Sequence, residues 1–212
     1  MSAVKINVVV EGNLDEYVVR KIIHFCNPPL KFTIAVLVKN GKEAILKKIK
    51  GYNEAAKTSL WFVLVDLDRD NCPPELVNTW FKDVSIARFL CFRVAVREIE
   101  AWLLADRKNI ARFLCINEKS VPNDPETIPD PKREIIDLAK RSRKRYIRQG
   151  IVPNEISYAR EGPAYSSILA EFVSQHWDVN NACKQSPSLL RTIQCLQQKI
   201  QTYIKQLPAF SS

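Results

Sequence analysis

No stretch of this chain approaches the roughly 18 to 20 uncharged apolar residues that a membrane-spanning helix requires, which argues against a protein built into a bilayer. The start, Met1-Ser2-Ala3-Val4-Lys5-Ile6, lacks the basic region, apolar stretch and cleavage site of a secretory signal. A cytoplasmic protein is therefore expected. Histidine is scarce, with His24 and His176 the two present, and although His24 stands two residues before Cys26, neither histidine is read as forming a metal-ligand pair with a cysteine. The six cysteines, Cys26, Cys72, Cys91, Cys115, Cys183 and Cys195, never stand at Cys-x-x-Cys spacing. Both a zinc site and a disulfide framework are thereby disfavoured, and reduced, mostly buried thiols are expected. The chain also lacks a Gly-x-x-x-x-Gly-Lys-Ser/Thr motif, so it carries no phosphate-binding loop of that type. No internal repeat or low-complexity tract interrupts it.

What is present describes a folded protein. With 212 residues, 46% of them apolar and 26% charged, the chain has material for one main core with room for a helical appendage. The charge is lopsided: 32 Lys and Arg against 23 Asp and Glu leave a formal net charge of +9. Much of the excess falls in residues 132–148, where Lys140, Arg141, Arg143, Lys144, Arg145 and Arg148 crowd together around Tyr146. Such density is an electrostatic footprint for nucleic acid, DNA or RNA, and the plainer alternative is the solvated face of one basic helix.

The chemistry concentrates at Trp61-Phe62-Val63-Leu64-Val65-Asp66-Leu67-Asp68-Arg69-Asp70. A continuous apolar run reads as a strand buried on both faces, and here it runs straight into three acids spaced two apart. In extended backbone Asp66, Asp68 and Asp70 would point to one side, where their mutual repulsion invites a divalent cation or a basic partner. Earlier in the chain, Val4 to Val10 has strand chemistry and leads through Glu11-Gly12 into a helix with Asn13 as its expected N-cap. Asp15 and Glu16 fall in the first turn of that helix, where acids are favoured by the helix dipole. Pro28-Pro29 is expected to break it. Phe32 to Val38 reads as a second strand, followed by a turn at Asn40-Gly41-Lys42 and one helix over 43–52.

Pro74 opens a further helix, and residues 86–96 read as a fourth strand passing into a helix near Glu98-Ile99-Glu100. If the chain is still extended there, Glu98 and Glu100 face the same way. From Arg107 onward the pattern is helical, with helices expected near 109–114, over the basic block, over 163–177 and over 187–206. The reading is thus an α/β fold with a parallel, Rossmann-like sheet over residues 1–106 and a helical extension packed on it over 107–212. Trp61, Trp80, Trp102 and Trp177 each sit within an apolar pattern and are expected in the core.

Val10-Glu11-Gly12, Asp66-Leu67-Asp68-Arg69-Asp70 and Val96-Arg97-Glu98-Ile99-Glu100-Ala101-Trp102-Leu103-Leu104-Ala105-Asp106 together resemble the Toprim domain of topoisomerases, primases, recombination proteins and OLD-family nucleases. They are most similar to small stand-alone Toprim-like bacterial proteins of undefined function. The resemblance implies a metal-dependent nuclease that uses Mg²⁺ or Mn²⁺. Glu11 would be general base or metal ligand, Asp66 and Asp68 ligands with Asp70 beside them, and Glu98 or Glu100 a ligand for a second ion. It also implies a role in anti-phage defence alongside an ATPase supplied in trans. A late lysine that neutralises the transition state is expected too; Lys132, Lys140 and Lys144 are equal candidates for it, and an arginine of the same helix could do that job instead. Two other readings stay open. One is a catalytically silent nucleic-acid-binding or ATPase-partner subunit; the other is a phosphatase or nucleotide-processing enzyme on an ordinary doubly wound sheet. Association into a homo-oligomer is left open as well.

Overall fold

The computed structural model describes residues 4–26, 31–154 and 158–207. The expected break at Pro28-Pro29 lies outside the described residues, as does the Met1 to Ala3 start. The chain is α/β, and its described residues hold four strands in one all-parallel sheet. Its contacts divide it into two compact units, residues 1–94 with 191–212 and residues 95–190. The division falls near the end of the fourth strand, whereas composition changes at residue 107.

The first unit holds β1 (Val4–Val10), α1 (Asn13–Phe25), β2 (Phe32–Val38), α2 (Lys42–Leu46), α3 (Ile49–Ala55), β3 (Leu60–Asp66), α4 (Pro73–Trp80) and nearly all of β4 (Leu90–Ala95). Strand order is β2-β1-β3-β4, and β1 pairs in parallel with β2, Val10 opposite Val38, and with β3, Val9 opposite Val63. Val8, Val9, Phe62 and Val63 are fully buried, as continuous apolar runs on central strands require. The edge strand β2 is only half-buried.

The helix expected over 43–52 is two helices, α2 and α3, interrupted at Lys47-Lys48, where four lysines crowd positions 42 to 50. The fourth strand is shorter than the 86–96 expected. The side chain of Asn53, itself buried, accepts from the Ala87 N–H (2.8 Å) and donates to the Ser85 carbonyl (2.9 Å), taking backbone groups that a strand ladder would have used. The N-cap of α1 is Gly12 rather than Asn13. The Gly12 N–H is satisfied from within the helix by Asp15 Oδ2 at 2.7 Å, the capping role expected of that acid.

The second unit is helical: α5 (Ile99–Ala105), α6 (Arg107–Leu114), α7 (Pro131–Lys140), α8 (Arg145–Ile151), α9 (Tyr165–Gln175) and α10 (Val179–Cys183). The short α10 was hidden in an expected linker, and it starts where the Asp178 carboxylate accepts from the N–H groups of Asn180 and Asn181. Trp102 is fully buried; its Nε1 donates to Ser188 Oγ at 2.7 Å, and its carbonyl accepts from Trp177 Nε1 at 3.2 Å. Trp80 is also in the core, and Trp61 is half-buried, stacked on Tyr52. The last helix, α11 (Pro187–Ile204), begins in the second unit and continues in the first. Among the described residues no helix is long and apolar enough to cross a membrane.

Candidate functional site

The connection from β1 leads to β2 on one side, and the next returns past β1 to β3 on the other. The sheet order therefore reverses between β1 and β3, and in open α/β sheets ligands bind in the crevice outside the carboxyl ends of the strands at such a point. Glu11 follows the last residue of β1, and Asp66 is the last residue of β3. The two are joined there: the Asp66 N–H donates to Glu11 Oε1 at 2.8 Å. Burial pushes the Glu11 carboxyl up to about 7; the Asp66 amide works against this, and the charges of Asp68 and Asp15 add to it.

Only Asp66 is in the strand. Asp68 takes a left-handed φ of 52°, and the Asp70 N–H turns back to the Leu67 carbonyl at 3.1 Å, so the three acids do not alternate along extended backbone as expected. The turn brings Asp68 and Asp70 onto Lys42 instead. Lys42 Nζ lies 2.7 Å from Asp68 Oδ2, 2.8 Å from Asp70 Oδ2 and 3.1 Å from the Leu67 carbonyl. Lys42 opens α2 directly after Gly41, whose φ of 113° suits glycine and whose N–H reaches the Glu11 carbonyl at 3.3 Å. Burial opposes the charge on Lys42, but its two aspartates outweigh that and raise its pKa. The Asn-Gly-Lys turn, which sequence favours as a plain turn, thus delivers a cation to the acidic edge.

The oxygens gripping Lys42 are two carboxylates and a main-chain carbonyl, the hard ligands that Mg²⁺ and Mn²⁺ take. In kind, the donor set fits the ion the resemblance implies. In arrangement it holds an ammonium, and among the described residues no group of three or more His, Cys, Asp or Glu side chains stands ready to hold a metal. Beside Asp70 the surface sinks into a depression of about 220 Å³ that Arg69, Asn71, Glu75 and Trp80 also line.

Glu98 and Glu100 belong to the second unit and form a cluster of their own. Arg97 has a left-handed φ of 60°, Glu98 is extended, and the helix begins at Ile99, so the two acids do not share an extended face. They meet through Lys132. Glu98 Oε2 accepts from the Lys132 N–H at 3.0 Å, and Lys132 Nζ lies 3.7 Å from Glu100 Oε1 and 3.3 Å from Glu161 Oε2. Tyr165 donates its hydroxyl to Glu100 Oε1 at 3.0 Å, with both side chains buried. Burial pushes Glu98 up to about 7, and Glu100 beside it adds to the shift. Glu161 and Tyr165 carry no motif that would have tied them to this pair.

The expected basic helix is two helices. After α7 ends, buried Ser142 accepts from the Lys144 N–H at 3.1 Å through Oγ, and its carbonyl accepts from Arg148 Nη1; these local bonds turn the chain between α7 and α8. Arg141, Arg143, Arg145 and Tyr146 are exposed, whereas Lys144 and Arg148 are half-buried. The three candidate late lysines separate cleanly. Lys132 joins the glutamate cluster, Lys140 pairs with Asp137 at 2.6 Å, and Lys144 lies over the rings of Phe113 and Tyr146.

No family model, curated protein or solved structure matches the chain. Function is therefore argued from the chemistry of the sheet edge and of the basic segment.

Proposed function

We propose that the chain is a metal-dependent nuclease that hydrolyses phosphodiesters at the carboxyl edge of its parallel sheet. The observation that carries this reading is the hydrogen-bonded meeting of Glu11 and Asp66 where the strand order reverses, with Asp68, Asp70 and Lys42 gathered at the same strand ends. Mg²⁺ or Mn²⁺ held by Glu11, Asp66 and Asp68, with Asp70 at the margin, would polarise the phosphodiester and lower the pKa of the attacking water. The chain's own groups supply the rest. If it stands beside the ion rather than ligating it, Glu11, with its carboxyl raised to about 7, is matched to accept a proton near neutral pH. Lys42 carries positive charge at the edge where an oxyanion would build. Arg141, Arg143 and Arg145 offer exposed guanidinium groups to a phosphate backbone, and exposed Tyr146 offers a ring for a base. In this proposal the protein works in the cytoplasm, with a separate ATPase, in bacterial anti-phage defence.

The test is cleavage of DNA and RNA by the purified chain with Mg²⁺ or Mn²⁺. Asp66→Ala should lower the rate on the order of 100-fold or more while leaving the far-ultraviolet dichroism unchanged. Full activity in that variant would move the chemistry elsewhere. Binding should weaken steeply with salt, and Arg143→Ala and Arg145→Ala should each reduce the salt slope by about 1; an unchanged slope would remove the basic segment from the interface.

The grip of Asp68 and Asp70 on Lys42 favours a second reading, a nucleic-acid-binding or ATPase-partner subunit whose acidic edge is already neutralised from within. A Mg²⁺ titration separates the two. Saturable binding lost in Asp66→Ala supports the nuclease, and no binding supports the silent subunit.

A further inference from the structure

The six cysteines are not mostly buried as expected: Cys91 is buried, Cys72 is exposed, and Cys26, Cys115, Cys183 and Cys195 lie between. Two of them meet. Cys91 in β4 and Cys195 in α11 both belong to the first unit, and the Cys91 thiol donates to Cys195 Sγ at 3.4 Å. Their surroundings pull the two sulfurs apart in acidity. The Cys91 hydrogen bond lowers the pKa of Cys195 against the cost of its burial, and the charges of Arg93 and Lys199 lower it further. Burial holds the Cys91 thiol well above its ordinary range. A thiolate with cationic neighbours and partial access, backed by a protonated thiol in contact, is the arrangement of a peroxide-reactive cysteine and its resolving partner.

We propose that Cys195 and Cys91 form a reversible oxidation site whose substrate is hydrogen peroxide and whose product is a Cys91–Cys195 disulfide. The Cys195 thiolate attacks one peroxide oxygen; the O–O bond breaks as an S–O bond forms. The departing hydroxide takes a proton from solvent and leaves as water, and Cys195 becomes a sulfenic acid. Cys91 sulfur then attacks Cys195 sulfur, forming the S–S bond as the S–O bond breaks. The Cys91 proton leaves with that hydroxide as a second water. Each sulfur gives up one electron overall, and the peroxide takes both. A dithiol reverses the reaction by exchange.

Place in the chain gives the site its consequence. The second unit is inserted between Val94 and Arg191, and the two cysteines lie just outside those crossings. The disulfide would clasp the outgoing and returning strands of chain, closing a loop between positions 104 apart.

The reduced full chain is treated with less than one equivalent of hydrogen peroxide, alkylated, digested without reductant and mapped by mass. The expected product is the Cys91–Cys195 peptide pair, lighter by two hydrogens and released by dithiothreitol. Cys195 should react at least about tenfold faster than exposed Cys72. In Cys91→Ser the sulfenic acid should persist on Cys195 and be captured by dimedone, and in Cys195→Ser the cross-link should be absent. The proposal is overturned if Cys72 oxidises first, if Cys195 passes to sulfinic acid without the cross-link in the unsubstituted chain, or if Cys91→Ser gives no dimedone adduct at Cys195.

Discussion

Glu11→Gln should make the protein more stable above pH 7 and remove the phosphodiester hydrolysis proposed for it. The carboxyl is raised from 4.5 to about 7, chiefly by burial, so the native state holds a proton over a range in which the unfolded chain has lost it. Stability changes with pH in proportion to protons bound by the unfolded state minus those bound by the native state. Between about 4.5 and 7 that difference is negative for Glu11, so its contribution is fully present below 4.5 and is lost as pH rises through 7. At about 1.4 kcal/mol per unit the upper figure is near 3 kcal/mol, and solvent around a half-buried group reduces it to about 1–2 kcal/mol. Gln keeps an oxygen to accept the Asp66 N–H and has nothing to ionise. Urea unfolding at pH 5 and pH 8 should show the wild type losing stability with rising pH and Glu11→Gln losing less, while cleavage falls on the order of 100-fold or more. An identical pH slope in both proteins would mean that Glu11 titrates as an ordinary acid. Glu98, also raised to about 7, contributes a slope of the same sign that persists in the variant.

The expected opposition between stability and the proposed hydrolysis would mark Glu11 apart from the acids that cap helices. Asp15 and Asp178 each accept backbone N–H groups at helix starts, and removing either should cost stability. Glu11 is half-buried where, among the described residues, the strand order of the sheet reverses, beside other acids, at a cost the fold has to offset elsewhere.

The sheet was legible because burial on both faces writes itself as uninterrupted Val, Ile, Leu and Phe. The spans of β1 and β2 are those their composition predicts, whereas β3 begins one residue earlier than read, at Leu60, and ends at Asp66 instead of running extended through Asp68 and Asp70. Glu11 and Asp66 were legible for the same reason, since a strand's last residue can be read from where the apolar run stops. The path of the chain beyond a strand end was not. Asp68 departs from the alternating pattern through a single left-handed φ, and an aspartate tolerates that conformation without any sign in its neighbours. The Ser142 turn is equally silent, because a serine among basic residues reads as helix until its hydroxyl is seen to take the Lys144 N–H and turn the chain. Lys42 and Lys132 found their acids across 26 and 32 positions of sequence, from Asp68 and from Glu100, and no local pattern encodes such pairings.

The second unit depends on a contact of the same long-range kind, and Gly162→Ala should be the most damaging small substitution in it. The Gly162 N–H donates to the Ile151 carbonyl at 2.9 Å, and the Ala164 N–H donates to the Gly150 carbonyl at 2.9 Å, so the chain before α9 lies directly on the end of α8. A Cβ at position 162 would stand 2.3 Å from the Gly150 carbonyl oxygen and 2.6 Å from the Ile151 carbonyl carbon. Both are backbone atoms held in a helix, so the two segments must separate and their hydrogen bonds with them. Gly150→Ala meets something softer. Its Cβ would lie 2.3 Å from Ile168 Cδ1, the far end of a flexible side chain. We expect Gly162→Ala to cost about 3 kcal/mol or more, lowering the melting temperature by about 6–12 °C, and Gly150→Ala to cost about 1–3 kcal/mol. The damage should reach the neighbouring cluster, since Glu161 and Tyr165 flank the displaced segment and both engage Lys132 or Glu100. Thermal unfolding of the two variants decides the order. Equal stability of Gly162→Ala and wild type would mean that the backbones at 150 and 162 do not approach as closely as their hydrogen bonds require.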